Sequence, residues 1–313
     1  MSVAVLGNGV RATPEIRCEN LTLGFDGHPA VHHLHGAIAP GALLAIVGPN
    51  GSGKTTLLRG LMGQLAPLGG RVVSDRSAFA YLPQQAGLDR AFPLTVRELV
   101  TLGAWRSIGL FRRVGRDVED SVTAALGAVG LTGFDARPID KLSGGQLQRA
   151  LFARVIVQDE PVILLDEPFN AVDRRTSADL MRLIHTWHRD GRTVIAVLHD
   201  IGLARAAFPE SLLLAREPVA WGATCDVLTD RNLARADAMA EQWDEGAAEC
   251  EIAPDHSNTH SAHDDHLGHG DGAIAHVHAH PHVQVTGQPP RQPEPVAAAS
   301  IAMPQGAKRR SAG

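Results

Sequence analysis

Residues 48–56 read Gly48-Pro49-Asn50-Gly51-Ser52-Gly53-Lys54-Thr55-Thr56, the spacing G-x-x-x-x-G-K-[ST] of a phosphate-binding loop. The apolar run Ala42-Leu43-Leu44-Ala45-Ile46-Val47 before it reads as a buried strand. Thr56-Leu57-Leu58-Arg59-Gly60-Leu61-Met62 after it reads as a helix. A chance glycine turn is the bland alternative, and strand, loop and helix in this order count against it. Gly48, Gly51 and Gly53 can take backbone angles that a side chain forbids. Successive N–H groups then turn inward around phosphate oxygens, and the helix beginning near Lys54 adds its positive end. Lys54 places a charge on the β and γ phosphates, and the Thr55 hydroxyl is set to ligate Mg²⁺.

Working outward, the 313 residues suggest one or two domains. The net charge of −5, from 29 basic and 34 acidic residues, gives no sign of the concentrated basic face that a nucleic-acid footprint needs. No run of 18 apolar residues occurs, so the chain is not expected to span a membrane on its own. The first residues lack the basic start and long apolar stretch of a secretory signal. Cys18, Cys225 and Cys250 are odd in number and far apart, with no C-x-x-C pair and no disulfide framework. Idle thiols in a reducing cytoplasm are the expectation.

Taken in order, residues 1–14 read as a loose start. Ile16, Cys18, Leu21, Leu23 and Phe25 mark one or two strands of a small antiparallel sheet, closed by the turn Asp26-Gly27. Ala39-Pro40-Gly41 turns the chain into the phosphate-loop strand. Gly69-Gly70 opens another strand pair, with Phe79-Ala80-Tyr81-Leu82 as its second member. Over 86–141 strand signals vanish. Thr95–Gly103 and Asp117–Val129 look helical, the latter from Val118, Val122, Ala125 and Val129. The basic residues Arg106, Arg112, Arg113 and Arg116 lie between them, on an insert with an exposed surface. A helix runs to about Gln158. Val162–Asp166 and Thr193–Leu198 are apolar on both faces and read as central parallel strands, with a helix near Arg175–Arg189 between them. Leu212–Leu214 and Val219–Trp221 read as late edge strands, and a last helix spans Asn232–Trp243.

Asp166 ends its apolar strand and Glu167 follows. An aspartate there can hold Mg²⁺ through water, and the next glutamate can orient and polarise the attacking water. Taken alone, the pair could equally be a helix cap with an idle neighbour.

These residues, with four further motifs in order, resemble the ATP-binding cassette (ABC) ATPases. Leu142-Ser143-Gly144-Gly145-Gln146 is similar to the family signature, continued by Leu147-Gln148-Arg149-Ala150. Tyr81-Leu82-Pro83-Gln84 resembles the Q-loop, and Ile163–Pro168 the Walker B strand with its catalytic Glu167. Asn170-Ala171-Val172-Asp173 resembles the D-loop and Leu198-His199-Asp200 the H-switch. Phe25 stands where the family stacks an aromatic on adenine; Phe for the commoner Tyr, and Asn170-Ala171 in the D-loop, are mild departures. The resemblance covers residues 16 to about 230.

The resemblance implies an α/β P-loop NTPase fold of ABC type: a mixed central sheet, a small antiparallel β subdomain and a helical insert. The ATPase domain is expected over 15–245, with the helical subdomain at about 86–158 and a disordered tail over 246–313. ATP and Mg²⁺ are the implied cofactors, with Mg²⁺ reached by Thr55, Gln84 and Asp166. The implied catalytic residues are Glu167 on the water, His199 on the γ-phosphate, and Lys54. Ser143-Gly144-Gly145 at a helix start is a second anion-binding surface. One chain does not need two for one triphosphate, and the resemblance implies a head-to-tail homodimer in which Ser143 to Gln146 of one copy close on ATP held by the other. It further implies a separate membrane permease docked beside Gln84 and the 86–141 insert, an extracytoplasmic metal-binding protein acting through that permease, and a peripheral place on the cytoplasmic face of the plasma membrane.

The cargo reading is a divalent metal, zinc before manganese. The Asp89–Val96 run and the short spacing from Lys54 to Gln84 look like the metal importers of the family. The tail agrees: His256, His260, His263, His266, His269, His276, His278, His280 and His282 lie among Asp255, Asp264, Asp265 and Asp271. Imidazole suits Zn²⁺. A low-order metal buffer and a merely solvated tail stand open side by side; either way the segment buries too little apolar surface to order itself. His28, His32, His33 and His35 form a smaller cluster, expected in a solvated loop. A non-transport ABC ATPase, acting on ribosomes or DNA repair, is the competing function class. Such members carry paired cassettes or long coiled-coil inserts, and neither is seen here. A subunit for a non-metal substrate is the other alternative.

Overall fold

A computed structural model describes residues 12–75, 78–84, 92–108, 114–170 and 172–242. Two sheets organise them. The smaller is antiparallel and contains β1 (Ile16–Phe25), β2 (His28–Ile38) and β4 (Gly69–Val73), with β1 in the middle. Asp26 and Gly27 join β1 to β2 at φ angles of 50° and 80°, the two-residue turn whose twist matches the flanking strands.

The larger sheet holds β3 (Leu43–Val47), β5 (Phe79–Leu82), β6 (Val162–Asp166), β7 (Thr193–Val197), β8 (Glu210–Ala215) and β9 (Glu217–Ala223). Its order is β5-β6-β7-β3-β8-β9; the first five are parallel and β9 runs antiparallel along β8. The helices are α1 (Lys54–Leu61), α2 (Val96–Thr101), α3 (Trp105–Ile108), α4 (Arg116–Ala128), α5 (Gly144–Gln158), α6 (Arg174–Arg189), α7 (Ile201–Ala207), α8 (Thr224–Val227) and α9 (Asp230–Gln242).

The continuous apolar runs have a two-sided cause. Along β3, Leu43, Ala45 and Val47 join a core with α2, α4, α5 and α6, while Leu44 and Ile46 join a second core with the small sheet and α1. Strand alternation feeds both faces, and both are covered. In the first core Phe152 stacks on Trp187, with ring centroids 5.8 Å apart. The insert docks through α5, against which α2 and α4 pack. Thr95 and Glu98 form a reciprocal capping box at the start of α2.

Three expectations are corrected. Gly69–Val73 and Phe79–Leu82 do not pair: β4 extends the small sheet, and β5 lies parallel to β6 in the large one. Ala80 and Leu82 enter the first core and Phe79 the second, so β5 is a two-faced strand and not a hairpin partner. The His28–His35 cluster lies on β2, where Val31, Leu34 and Ile38 are buried; His33 is left-handed (φ 46°) and interrupts the alternation. β8 is interior, between β3 and β9, so of these two late strands β9 alone is an edge. The tail histidines, Arg112, Arg113, Asp89 to Ala91 and Ala171 lie outside the described residues. Among the described residues no helix is long and apolar enough to cross a membrane.

Candidate active site

Strands β3, β5, β6 and β7 run parallel, so their C-terminal ends open on one edge of the sheet, where α/β folds place ligands. The candidate residues leave from those ends. Lys54 and Thr55 follow β3, Gln84 follows β5, Asp166 and Glu167 end and follow β6, and His199 follows β7.

The loop is shaped from outside as well as by its glycines. Gly53 caps α1 at φ 89°, and a Cβ there would lie 2.4 Å from the carbonyl oxygen of Ala30. A Cβ on Gly48 would lie 1.9 Å from the carbonyl oxygen of Leu214. The backbones of β2 and β8 therefore press on the loop too closely for any side chain. Arg216 completes the clamp: its N–H donates to the Ser52 carbonyl (3.1 Å), and its own carbonyl accepts from His32 N–H (2.7 Å).

Lys54 is only 6% exposed. Its ammonium donates to the carbonyls of Gly48 (3.0 Å) and Pro49 (2.7 Å) and lies 3.3 Å from the Ser52 hydroxyl. Burial lowers its pKa below the ordinary lysine value, against the opposing pull of Glu167 and Asp166. A cation is thus fixed at the mouth of the loop.

Asp166 is 1% exposed. Its Oδ1 accepts from the Thr55 hydroxyl at 3.1 Å, and its Oδ2 from the Tyr81 hydroxyl at 3.3 Å. Burial pushes this carboxyl up, and those two hydrogen bonds oppose the push. The buried carboxylate and the hydroxyl are hard oxygen donors beside a second carboxylate, a set that fits Mg²⁺.

Glu167 sits at φ 51°, unusual for a residue with a long side chain. The turn is held where Asn170 N–H donates to the Glu167 carbonyl at 3.1 Å. Both carboxylate oxygens are occupied. Oε1 lies 2.6 Å from His199 Nε2; Oε2 accepts from Gln84 Nε2 (2.7 Å) and Asn170 Nδ2 (3.2 Å). Burial raises its pKa, but the hydrogen bonds from His199 and Gln84, the His199 charge and the Asn170 bond outweigh it. The result is a carboxylate held ionised, its pKa below the ordinary range, in the form that a general base needs.

Residues 31–170 match the family model of ABC transporters. The manganese transport system ATP-binding protein MntB of Listeria monocytogenes is 37% identical over 222 residues, 69% of this chain and 92% of that protein. The zinc transport system ATP-binding protein TroB of Treponema pallidum is 35% identical over 228 residues, 71% of this chain and 86% of that one. The chain belongs to the ABC transporter ATP-binding family. A bacterial ABC transporter cassette solved as a dimer superposes with a TM-score of 0.60 at 27% identity, covering 67% of this chain and 98% of that one. As an ABC ATPase the chain binds and hydrolyses ATP.

The rest of the cassette falls into place around that centre. Ser143 caps α5, accepting from Gln146 N–H (3.3 Å) while its own N–H donates to Gln146 Oε1 (3.0 Å). The capped tip leaves Ser143 exposed and Gly144, Gly145 and Gln146 half-buried. Phe25 ends β1 with 47% of its surface exposed.

Three side chains of this ABC ATPase site are not evident from the sequence. Tyr81 is legible there as a strand residue that opens the Q-loop pattern, and its bond to Asp166 is not. Asn170 departs from the usual D-loop pattern, and it is a donor to Glu167. Gln148, buried within α5, donates to the Pro168 carbonyl at 2.7 Å and ties the signature helix to the turn carrying Glu167.

Proposed function

We propose that this ABC ATPase powers the import of a divalent transition metal through a separate permease, with zinc favoured and manganese next. The observation that carries the reading is the 37% and 35% identity to relatives named for manganese and zinc transport, over nearly the whole of those chains. The histidine-rich tail tilts the choice toward zinc, because neutral imidazole suits Zn²⁺ better than it suits harder cations.

In this reading the cassette spans 15–245, and 246–313 is a tail whose nine histidines from His256 to His282 buffer the metal. ATP lies on the loop from Gly48 to Thr56, its adenine against Phe25. Thr55 and Asp166 would hold Mg²⁺, with Gln84 joining them, and the ion when bound neutralises charge on the transferring phosphoryl group. Ser143 to Gln146 of a second copy close on the γ-phosphate through bare N–H groups at the tip of α5. A water between the two copies passes its proton to Glu167 as it attacks. His199 orients that carboxylate and contacts the γ-phosphate, so trading one partner for the other reports hydrolysis.

The permease docks on the insert. Leu102 and Trp105 are exposed beside a groove lined by Phe79, Arg154, Gln158 and Glu160. An extracytoplasmic binding protein delivers metal to the permease, and the ATPase works from the cytoplasmic face of the plasma membrane.

The test is metal content in cells lacking this gene, compared for Zn, Mn and Fe with and without the gene restored. Zinc accumulation falls and recovers. A selective loss of manganese would reassign the cargo, and unchanged content of all three removes metal import.

A further inference from the structure

Tyr81 is the one tyrosine in the chain. It lies on β5 opposite Leu164 of β6, two residues before Asp166. Its backbone N–H donates to Gln158 Oε1 at 3.2 Å, and Gln158 also lines the groove beside Trp105. Its ring packs against the second core. The hydroxyl faces Asp166: it donates to Oδ2 at 3.3 Å, on the oxygen opposite the one that accepts from Thr55. Burial and the Asp166 charge hold the phenol protonated well above the ordinary tyrosine range, and Arg59 is a second hydrogen-bond partner.

A carboxylate that is to take a cation through one oxygen needs the other oxygen held. Left alone it can rotate. We propose that Tyr81 is a positioning residue of the ATPase, whose hydroxyl holds the Asp166 carboxylate with Oδ1 turned toward Thr55, in the orientation in which those two groups take Mg²⁺. This rests on the reading that Asp166 and Thr55 hold the ion. Tyr81 touches neither nucleotide nor water in this scheme and acts only through Asp166.

Tyr81→Phe separates the hydroxyl from the packing of the ring. The measurement is binding of a fluorescent ATP analogue to the full chain, titrated with Mg²⁺ in a Glu167→Gln background that prevents turnover. In Y81F the Mg²⁺ concentration for half-maximal binding rises about 10-fold, the low end for loss of a group that orients a metal ligand. Binding without Mg²⁺ and the unfolding midpoint stay as in the parent. A second readout needs no variant: with 3-fluorotyrosine incorporated, the single ¹⁹F resonance shifts when Mg²⁺ joins bound ATP. Asp166→Asn is the control. If D166N raises the Mg²⁺ requirement and Y81F does not, Tyr81 has no positioning role. If D166N leaves the requirement unchanged, the assignment of Asp166 to Mg²⁺ fails and the inference falls with it.

Discussion

His199 Nε2 lies 2.6 Å from Glu167 Oε1, at the C-terminal ends of two neighbouring parallel strands. The pair faces the loop that holds Lys54. Burial alone would raise the carboxyl pKa; the hydrogen bonds from His199 and Gln84, together with the His199 charge, reverse that rise. A lowered pKa means that Glu167 stays ionised as pH falls, and loses its base function only below the ordinary glutamate range of about 4.3. Removing His199 leaves burial with less opposition. The acid limb of the kcat profile should therefore move to higher pH in His199→Ala, measured on its residual turnover. Coincident limbs in the two proteins would mean that the contact does not govern the titration of Glu167.

Glu167→Gln keeps the shape of the side chain and removes the proton acceptor. We expect ATP binding to persist and kcat to fall about 100-fold or more, as for loss of a general base. With hydrolysis blocked, ATP should hold two copies together, seen as a doubled mass by light scattering. Turnover at the parent rate removes Glu167 from the chemistry. A monomer at saturating ATP removes the head-to-tail dimer.

Much of this is legible in the sequence, for local reasons. A glycine loop between a buried strand and a helix specifies itself through backbone freedom and periodicity, so residues 42–62 need no tertiary information. Two-sided apolarity at Val162–Asp166 and Thr193–Val197 announces central strands. Pairing between distant segments is not legible. β4 and β5 are near in sequence and belong to different sheets, because β5 needs apolar cover on both faces and β4 does not. Histidines hide β2 because a left-handed His33 breaks the alternation on which strand reading depends. The contacts of Tyr81, Asn170 and Gln148 are side-chain hydrogen bonds that depend on the folded chain, and no local pattern encodes them.

Gly53→Ala tests the clamp on the phosphate loop. The new Cβ meets the Ala30 carbonyl at 2.4 Å, and φ 89° is strained for alanine. Together these should cost about 2 kcal/mol or more. Chemical denaturation should show a lower midpoint, and ATP affinity should drop because the loop N–H groups shift. Gly51→Ala is the comparison: φ is 76°, but no atom lies within 4 Å of the added Cβ. It should destabilise less. Equal losses would show that backbone angle, and not the press of β2, shapes the loop.

Cys18 and Cys225 should differ sharply toward a thiol reagent. Cys18 is buried in β1, and burial pushes its thiol up to about 12, whereas Cys225 is exposed. The thiolate is the reactive form. In a Cys225→Ser, Cys250→Ser variant at pH 8, Cys18 should label only on the timescale of unfolding, and at once in denaturant. Prompt labelling under native conditions means that β1 opens far more readily than its core position allows.

Removing residues 246–313 separates the ATPase from its histidine-rich end. The described residues contain no group of three or more histidine, cysteine, aspartate or glutamate side chains placed to hold a metal. Most Zn²⁺ bound by the full chain should therefore be lost with the tail, and basal ATPase activity should be retained. Neutral imidazole is the ligand form, so protonation competes with the metal, and binding should fade as pH drops through about 6. Equilibrium dialysis of full-length and truncated protein at pH 7.5 and pH 5.5 measures both effects. Equal zinc on the two proteins would place the metal on the cassette. A loss of ATPase activity on truncation would make the tail part of the catalytic unit.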